Sequence, residues 1–164
     1  STPSNSSAAS DVYKRQVMAN AISKYTFDQG ELIYWPVSGT VTLGYNMDST
    51  VYFKTLGMYK CSPGMVVASD VGTKVCAAVS GVVVDVAENT ETGLTVRVAA
   101  GNGYEMTTGM LSDVNVKIGD TVTAGQLLGT VAEPTAYYKE EGPGIYFAMT
   151  KDGIPVNPMD YLGE

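Results

Sequence analysis

The sequence contains no histidine, and this absence excludes more chemistry than any other feature of its composition. Without an imidazole there is no Ser-His or Cys-His nucleophile, no histidine general base and no His-ligated metal ion. Cysteine is scarce as well, since Cys61 and Cys76 are the two thiols and their separation does not fit a C-x-x-C motif. Two isolated cysteines in strand-like surroundings predict buried free thiols rather than a disulfide framework.

Charge and long apolar runs are also sparse. Only 16% of the residues are charged, and 17 acidic residues against 10 basic ones give a net charge of −7. Binding to a phosphate backbone depends on clustered Lys and Arg, so nucleic acid is not an expected partner. No apolar run approaches the roughly 18–20 residues that a membrane-spanning helix needs. The chain starts at Ser1 without a methionine, which leaves room for a membrane anchor upstream.

The first thirty residues differ in composition from the rest of the chain. Residues 1–10 are low in complexity and predict a disordered leader. Ser10 or Asp11 is a suitable N-cap for a helix that runs to about Lys24. Helical spacing places four apolar residues on one stripe: Met18, Ala21, Ile22 and Tyr25. The favoured interpretation is a helix packed on its own domain, and the alternative is the end of a stalk that leads from a membrane anchor.

From Glu31 onward the pattern is that of β-strands separated by turn residues. Short strands at this spacing are typical of an antiparallel sandwich or barrel. We therefore expect a leader, helix and linker over residues 1–30 and a mainly β domain over residues 31–164. The predicted strands are Thr40–Tyr45, Val51–Phe53, Met65–Ala68, Val75–Val79, Val82–Val86, Leu94–Ala99, Tyr104–Thr108, Val114–Val116, Thr121–Val122, Leu127–Val131, Ile145–Met149 and Pro155–Val156.

The chain contains a short internal repeat. Residues 71–77 and 118–124 both read apolar-Gly-x-x-Val-x-Ala. The first copy leads to Gly-Val-Val at 81–83, and the second leads to Leu-Gly-Thr-Val at 128–131. Because glycine tolerates a positive φ and alternating Val and Ala face a core, we expect segments 71–83 and 118–131 to form equivalent hairpins. Gly72 and Gly119 should lie in turns.

Five motifs in order resemble those of the lysostaphin-type zinc endopeptidases, which cleave cross-links in peptidoglycan. The motifs are Trp-Pro-Val-Ser-Gly-Thr-Val at 35–41, the extended first copy of the repeat at 71–83, Gly-Asn-Gly-Tyr at 101–104, Val-Lys-Ile-Gly-Asp-Thr-Val-Thr-Ala-Gly-Gln at 116–126, and Lys-Asp-Gly-Ile-Pro-Val-Asn-Pro at 151–158 with Tyr-Leu at 161–162. The resemblance covers about Tyr34 to Leu162. It implies an antiparallel duplicated-hairpin β-sandwich, in agreement with the repeat.

The residues that carry chemistry in this family are all replaced. The resemblance places its three zinc ligands at Ser62, Val66 and Tyr146. It places two assisting histidines at Met110 and Gly144, and Ala100 stands where a further histidine precedes the Gly-Asn-Gly-Tyr turn. Catalytic zinc needs about three N, S or carboxylate ligands and a bound water. We therefore expect no zinc, no other cofactor and no hydrolytic activity.

Other chemistry receives little support from the sequence. Cys61 lies beside the first ligand position, but one thiolate is not a metal site. The acidic groups at Glu88, Glu91 and 140–141 are typical of solvated loops. A related phosphocarrier fold needs a histidine, and a biotinyl carrier needs a lysine within Met-Lys-Met. Met-Thr-Lys at 149–151 matches that motif only in part.

These observations predict an inactive endopeptidase-like domain that acts as a protein-binding scaffold or regulator outside the cytoplasmic membrane of a bacterium, anchored or secreted. Inactive members of the resembled family activate cell-wall amidases or form half of a sporulation channel. The alternatives are a peptidoglycan-binding module and a residual or altered cell-wall metallopeptidase. The former substrate groove should serve as the binding surface, with its edge at Tyr59, Ser62, Met110 and Tyr146. Further aromatic residues are expected nearby, although about half of the 11 tyrosines should only pack strands: Tyr52, Phe53, Tyr104, Tyr137 and Tyr138.

Overall fold

The computed structural model describes the backbone of residues 3–163 and the side chains of residues 8–163. This part of the chain holds one α-helix, α1 (Pro3–Ile22), followed by twelve strands. The strands are β1 (Thr40–Leu43), β2 (Asn46–Phe53), β3 (Met58–Ser62), β4 (Gly64–Ala68), β5 (Lys74–Cys76), β6 (Gly81–Asn89), β7 (Gly93–Gly101), β8 (Tyr104–Ser112), β9 (Thr121–Val122), β10 (Leu127–Val131), β11 (Gly144–Lys151) and β12 (Ile154–Val156).

Ten of the strands form one antiparallel sheet, whose main path runs β1-β4-β11-β8-β7-β6-β9. β10 joins β5 and β8, β12 pairs with β11, and β2 and β3 form a separate two-stranded sheet. The central strand β4 is buried at four of its five positions, which explains its continuous apolar run Met-Val-Val. The predicted mainly antiparallel β fold with one helix is confirmed.

Two strand predictions were wrong. β3 was not predicted, because its sequence Met-Tyr-Lys-Cys-Ser mixes polar and apolar residues and packs only one face. The run Val114–Val116 was predicted as a strand but is irregular in the structure, although Val116 is buried. Burial of a β-branched residue in a loop gives the same sequence pattern as a short strand.

The two repeat copies are equivalent, but each pairs with the other instead of folding into its own hairpin. β5 of the first copy pairs with β10 of the second, and β9 of the second pairs with β6 of the first. The hydrogen bonds match: Gly72 N donates to Val131 O and Gly119 N donates to Val83 O, each at 2.8 Å. The predicted equivalence therefore holds, while the predicted pairing within each copy was wrong. A sequence repeat cannot distinguish these two pairings, since both bury the same residues.

The N-terminal helix begins earlier than predicted. α1 starts at Pro3, so residues 3–10, predicted as a disordered leader, are helical, and residues 1–2 of that leader lie outside the described part. The predicted apolar stripe is the half-buried face of the helix region, and α1 lies against β6 and β7. This agrees with packing on its own domain. No helix among the described residues is both long and apolar enough to cross a membrane.

The buried side chains form two clusters. The larger one fills the main sheet and includes Val75, Val83 and Phe147. The smaller one lies where the β2–β3 sheet meets β4 and β8, and its buried members are Leu43, Phe53, Val66, Met110 and Tyr138. The second cluster therefore occupies the region to which the resemblance assigns the zinc ligands.

The symmetric turns of the two copies give a stability prediction. Gly72 and Gly119 have φ values of 90° and 95° with open space around them, so alanine at either position is strained only by its backbone. We expect Gly72→Ala and Gly119→Ala each to lower the free energy of unfolding by about 1 kcal/mol in urea titrations. Gly30→Ala is the control, since Gly30 is equally open and its φ is not positive. Equal effects at all three positions would contradict the assignment of a positive φ to Gly72 and Gly119.

Candidate functional site at the former metal position

Four elements bring the predicted ligand and catalytic positions together. Tyr146 of β11 lies directly opposite Val66 of β4 and opposite Gly109 of β8. Ser62 ends β3 and lines the same small cavity as Tyr146, while Met110 belongs to the same buried cluster as Val66. The convergence implied by the resemblance is therefore present in the fold, although the side chains have changed.

Two of the three ligand positions hold no basic ligand of the kind that zinc requires. Val66 is completely buried, and its isopropyl group packs in the smaller cluster. Ser62 is 2% exposed, and its hydroxyl donates to Gly64 O at 2.7 Å. That local hydrogen bond satisfies a polar group that would otherwise be buried without a partner.

The third ligand position holds a phenol that lies across a glycine. A Cβ added at Gly64 would lie 2.6 Å from the Tyr146 hydroxyl and 2.9 Å from the Ala148 Cβ. Gly64 thus leaves the space that the phenol fills. Burial, with the charge of Glu91 as a further cause, raises the pKa of Tyr146 to about 12. The phenol stays protonated at neutral pH and is a hydrogen-bond donor rather than an anionic metal ligand.

The two assisting positions have also changed. At Gly144, any Cβ would lie 2.4 Å from Val67 O, so the backbone of β4 occupies the space of a side chain. Met110 has a positive φ of 61° in a bulge, and its side chain is 1% exposed. A non-glycine residue in this conformation is strained, and Met110 packs in the smaller cluster.

The residues at these positions do not fit a zinc ion. They offer an engaged hydroxyl, an isopropyl group and a protonated phenol where a catalytic site requires about three basic ligands. No group of three or more His, Cys, Asp or Glu side chains among the described residues could hold a metal ion. A zinc-bound hydroxide cannot form from this ligand set.

A short 3₁₀ helix, Ala136–Glu141, covers the position from outside. Its Tyr138 is buried, and its Tyr137 ring packs edge-on against Phe53 with 6.5 Å between the centroids. Thr55 fastens the segment to the β2–β3 turn, since its hydroxyl donates to a Glu141 carboxylate oxygen at 2.7 Å and accepts from Glu140 N at 2.9 Å. The cavity that remains below has a volume of about 60 Å³.

The four residues predicted to edge an open groove do not form one. Ser62 and Met110 are buried, and Tyr146 is half-buried. Tyr59 is 70% exposed and pairs with Tyr52 on the outer face of the β2–β3 sheet, at a ring distance of 5.1 Å. Alternation along β3 explains this, because Tyr59 and Ser62 face opposite sides of the strand.

The other aromatic residues separate in the same way. Tyr137, Tyr138 and Phe53 lie at the site, as expected, whereas Tyr104 packs with Phe27 and Tyr161 elsewhere in the core. Lys60 was missed: its ammonium donates a hydrogen bond to the Tyr137 hydroxyl and lies 5.0 Å from the Phe53 ring centroid. Its place two residues before the first ligand position was the signal that could have found it.

The sequence profile of Peptidase family M23 matches residues 60–158, more than half of the 164-residue chain. The chain belongs to this family. The match spans all the ligand and assisting positions, from Ser62 to Tyr146. It confirms the resemblance to lysostaphin-type enzymes while the ligand positions hold other residues.

The M23 domain is similar to known proteins both in sequence and in structure. Stage II sporulation protein Q of Bacillus subtilis is 30% identical over 108 residues, which cover 65% of this chain and 38% of that protein. The chain thus spans less than half the length of that relative. A structure of the SpoIIQ–SpoIIIAH pore-forming complex contains a chain with 26% identity and a TM-score of 0.68, covering 80% of this chain and 91% of that one.

Lysostaphin of Staphylococcus simulans shares the fold. Its TM-score is 0.63 at 23% identity, covering 83% of this chain and 54% of that one. At this level of identity the likeness concerns the arrangement of the strands alone. It shows that the M23 scaffold is retained around the altered positions.

The fit of Tyr146 against Gly64 predicts a specific coupling. We expect Gly64→Ala to lower the free energy of unfolding by about 1–3 kcal/mol, because the new methyl group overlaps the phenol. In a Tyr146→Ala background the same change should cost clearly less, since the phenol is gone. A double-mutant cycle from denaturant titrations measures this coupling, and additive effects would contradict the contact.

The raised pKa of Tyr146 predicts an alkaline instability. Its folded pKa of about 12 exceeds the ordinary value of 10, so the unfolded state releases its proton first as the pH rises. The stability contributed by the neutral phenol is therefore complete below about pH 10 and lost between about pH 10 and 12. Tyr146→Phe should weaken this pH dependence of the unfolding midpoint, whereas Tyr59→Phe should leave it unchanged. Equal profiles for both variants would refute the role of Tyr146.

Proposed function

We propose that this M23 domain is a catalytically inactive scaffold that binds a protein partner in the bacterial cell envelope. The observation that carries the proposal is that the three ligand positions now hold groups that pack in the smaller cluster, as Val66 and Tyr146 do, or that donate to the backbone, as Ser62 does. A site that had merely lost its ligands would leave a polar, open groove. Here the 3₁₀ helix and the β2–β3 sheet close over an aromatic cluster, so the positions now contribute to stability.

The similarity to stage II sporulation protein Q supports a partner of a particular kind. In the similar structure, SpoIIQ forms a pore-forming complex with SpoIIIAH. We infer that a SpoIIIAH-like protein is the partner of this domain and that the assembly belongs to sporulation. We also propose that the domain acts outside the cytoplasmic membrane, where a pore-forming complex of this kind would assemble.

The partner test uses the SpoIIIAH-like protein encoded by the source genome. Mixed with the purified chain, it should elute as a complex in size-exclusion chromatography and bind saturably in calorimetry. The same chain should release no soluble fragments from peptidoglycan in a zymogram. Lysostaphin, an antimicrobial peptidase that shares the fold, is the negative control for partner binding and the positive control in the zymogram.

Two results would contradict the scaffold proposal. Cosedimentation with purified peptidoglycan, without binding to the SpoIIIAH-like protein, would favour a peptidoglycan-binding module. Clearing of peptidoglycan in the zymogram, abolished by a chelator, would favour a residual metallopeptidase.

A further inference from the structure

The small cavity below the 3₁₀ helix is lined by hydrogen-bond donors with few protein partners. Tyr138 is 4% exposed and lines this cavity together with Tyr146. Neither phenol hydroxyl has a hydrogen-bond partner among the residues that the structure describes. In the same part of the chain, every polar side-chain atom that is fully enclosed does have a partner. Since no enclosed polar atom lacks a partner, solvent reaches both phenol oxygens, and both residues line the cavity. A nearly buried hydroxyl without a protein partner is uncommon, since such groups are usually paired with protein, water or ligand.

The two phenols are donors over the whole physiological pH range. Burial raises the pKa of Tyr138 above its usual range, and burial likewise raises the pKa of Tyr146 to about 12. A protonated phenol donates a hydrogen bond, so its complementary ligand group is an oxygen that only accepts hydrogen bonds. The two residues that line the cavity therefore carry protonated hydroxyls that can donate to a group that enters it.

A positive charge lies beside these donors. The Lys60 ammonium is held between two aromatic rings, 5.0 Å from the Phe53 centroid and 5.2 Å from the Tyr137 centroid. It uses one of its three protons on the Tyr137 hydroxyl, which leaves two for other acceptors. Its position is fixed by these contacts, so little side-chain entropy remains to be lost on binding a ligand.

One negative charge limits what the cavity can accept. Glu91 lines the rim, and its exposed side chain is screened by solvent. The charges of Lys60 and Glu91 oppose each other, and the two phenols add neutral donors. This lining, with one positive charge, is matched by a group with a single negative charge. The volume of about 60 Å³ exceeds the roughly 10–15 Å³ that one water needs, so the cavity has room for a small group such as a carboxylate.

We infer that this cavity is a binding site for a single carboxylate group, in which the Lys60 ammonium and the hydroxyls of Tyr138 and Tyr146 hold the two oxygens. The carboxylate comes either from a small free acid or from the C-terminus of a peptide. Lys60 thus places a positive charge beside the former metal position, and this charge does not support hydrolysis. The inference rests on the cavity alone and is independent of the partner proposed above.

The test is an NMR titration of the folded chain at constant ionic strength. Sodium acetate replacing sodium chloride should shift the amide signals of Thr92 and Tyr138 saturably, whereas methylammonium chloride should not. Lys60→Met should weaken acetate binding by about tenfold, in line with the loss of a charged hydrogen bond. Tyr138→Phe should weaken it by a smaller factor. Glu91→Gln should strengthen binding, because it removes the opposing charge at the rim.

The controls separate a local effect from unfolding. Lys54→Met removes an exposed lysine near the same hairpin turn and should leave acetate binding unchanged. Signal dispersion of each variant reports whether it is folded, and Glu91→Gln tests the charge argument even if Lys60→Met unfolds. N-acetyl-glycylglycine compared with its C-terminal amide identifies the source once acetate binds: binding of the peptide acid as well, but not of its amide, assigns a peptide terminus, and binding of acetate without the peptide acid assigns a small acid.

Three results would overturn the carboxylate site: no saturable acetate shift, an unchanged affinity in Lys60→Met, or saturation by methylammonium instead. None of them bears on the SpoIIIAH-like partner, which is tested separately. Conversely, failure to bind that partner leaves the acetate titration unaffected.

Discussion

The close approach of β4 to β11 is the constraint on which the character of this site depends. The carbonyl oxygen of Val67 lies where a side chain at position 144 would begin, and Gly64 gives the Tyr146 phenol its place. Both contacts arise from glycines facing a neighbouring backbone or ring, so the change extends beyond the loss of ligands. Restoring histidines at Tyr146 and Ser62 and an aspartate at Val66 would not restore the assisting residue at position 144. The two strands would first have to move apart.

The scaffold persists because its stability comes from residues away from this site. The two copies of the repeat hold each other through reciprocal pairing, β5 with β10 and β9 with β6, and through the buried valines of the larger cluster. The smaller cluster around Met110 and Tyr138 could therefore change composition without disturbing the fold. Conversion of polar ligand positions to packed aromatic and aliphatic groups adds buried apolar area, which favours the folded state.

Much of the fold could be predicted from the sequence, since turn glycines and alternating valines determine it locally. The equivalence of Gly72 and Gly119 is visible in the repeat, whereas the exchange of partners between the copies depends on long-range contacts that leave no sequence signal. The replacement of ligands at Ser62, Val66 and Tyr146 was equally visible. The closure of the site was not, because it depends on the 3₁₀ helix and on Lys60, whose roles follow from three-dimensional packing. Tyr59 was misplaced because the strand β3 itself was not recognised.

The zinc content of the purified chain tests the central claim most directly. After expression in zinc-supplemented medium and desalting, metal analysis should find far less than one zinc per chain, and a chelator should leave the melting temperature unchanged, since no metal binding energy contributes to folding. Tightly held zinc near one equivalent per chain, with a fall in melting temperature on chelation, would contradict the account.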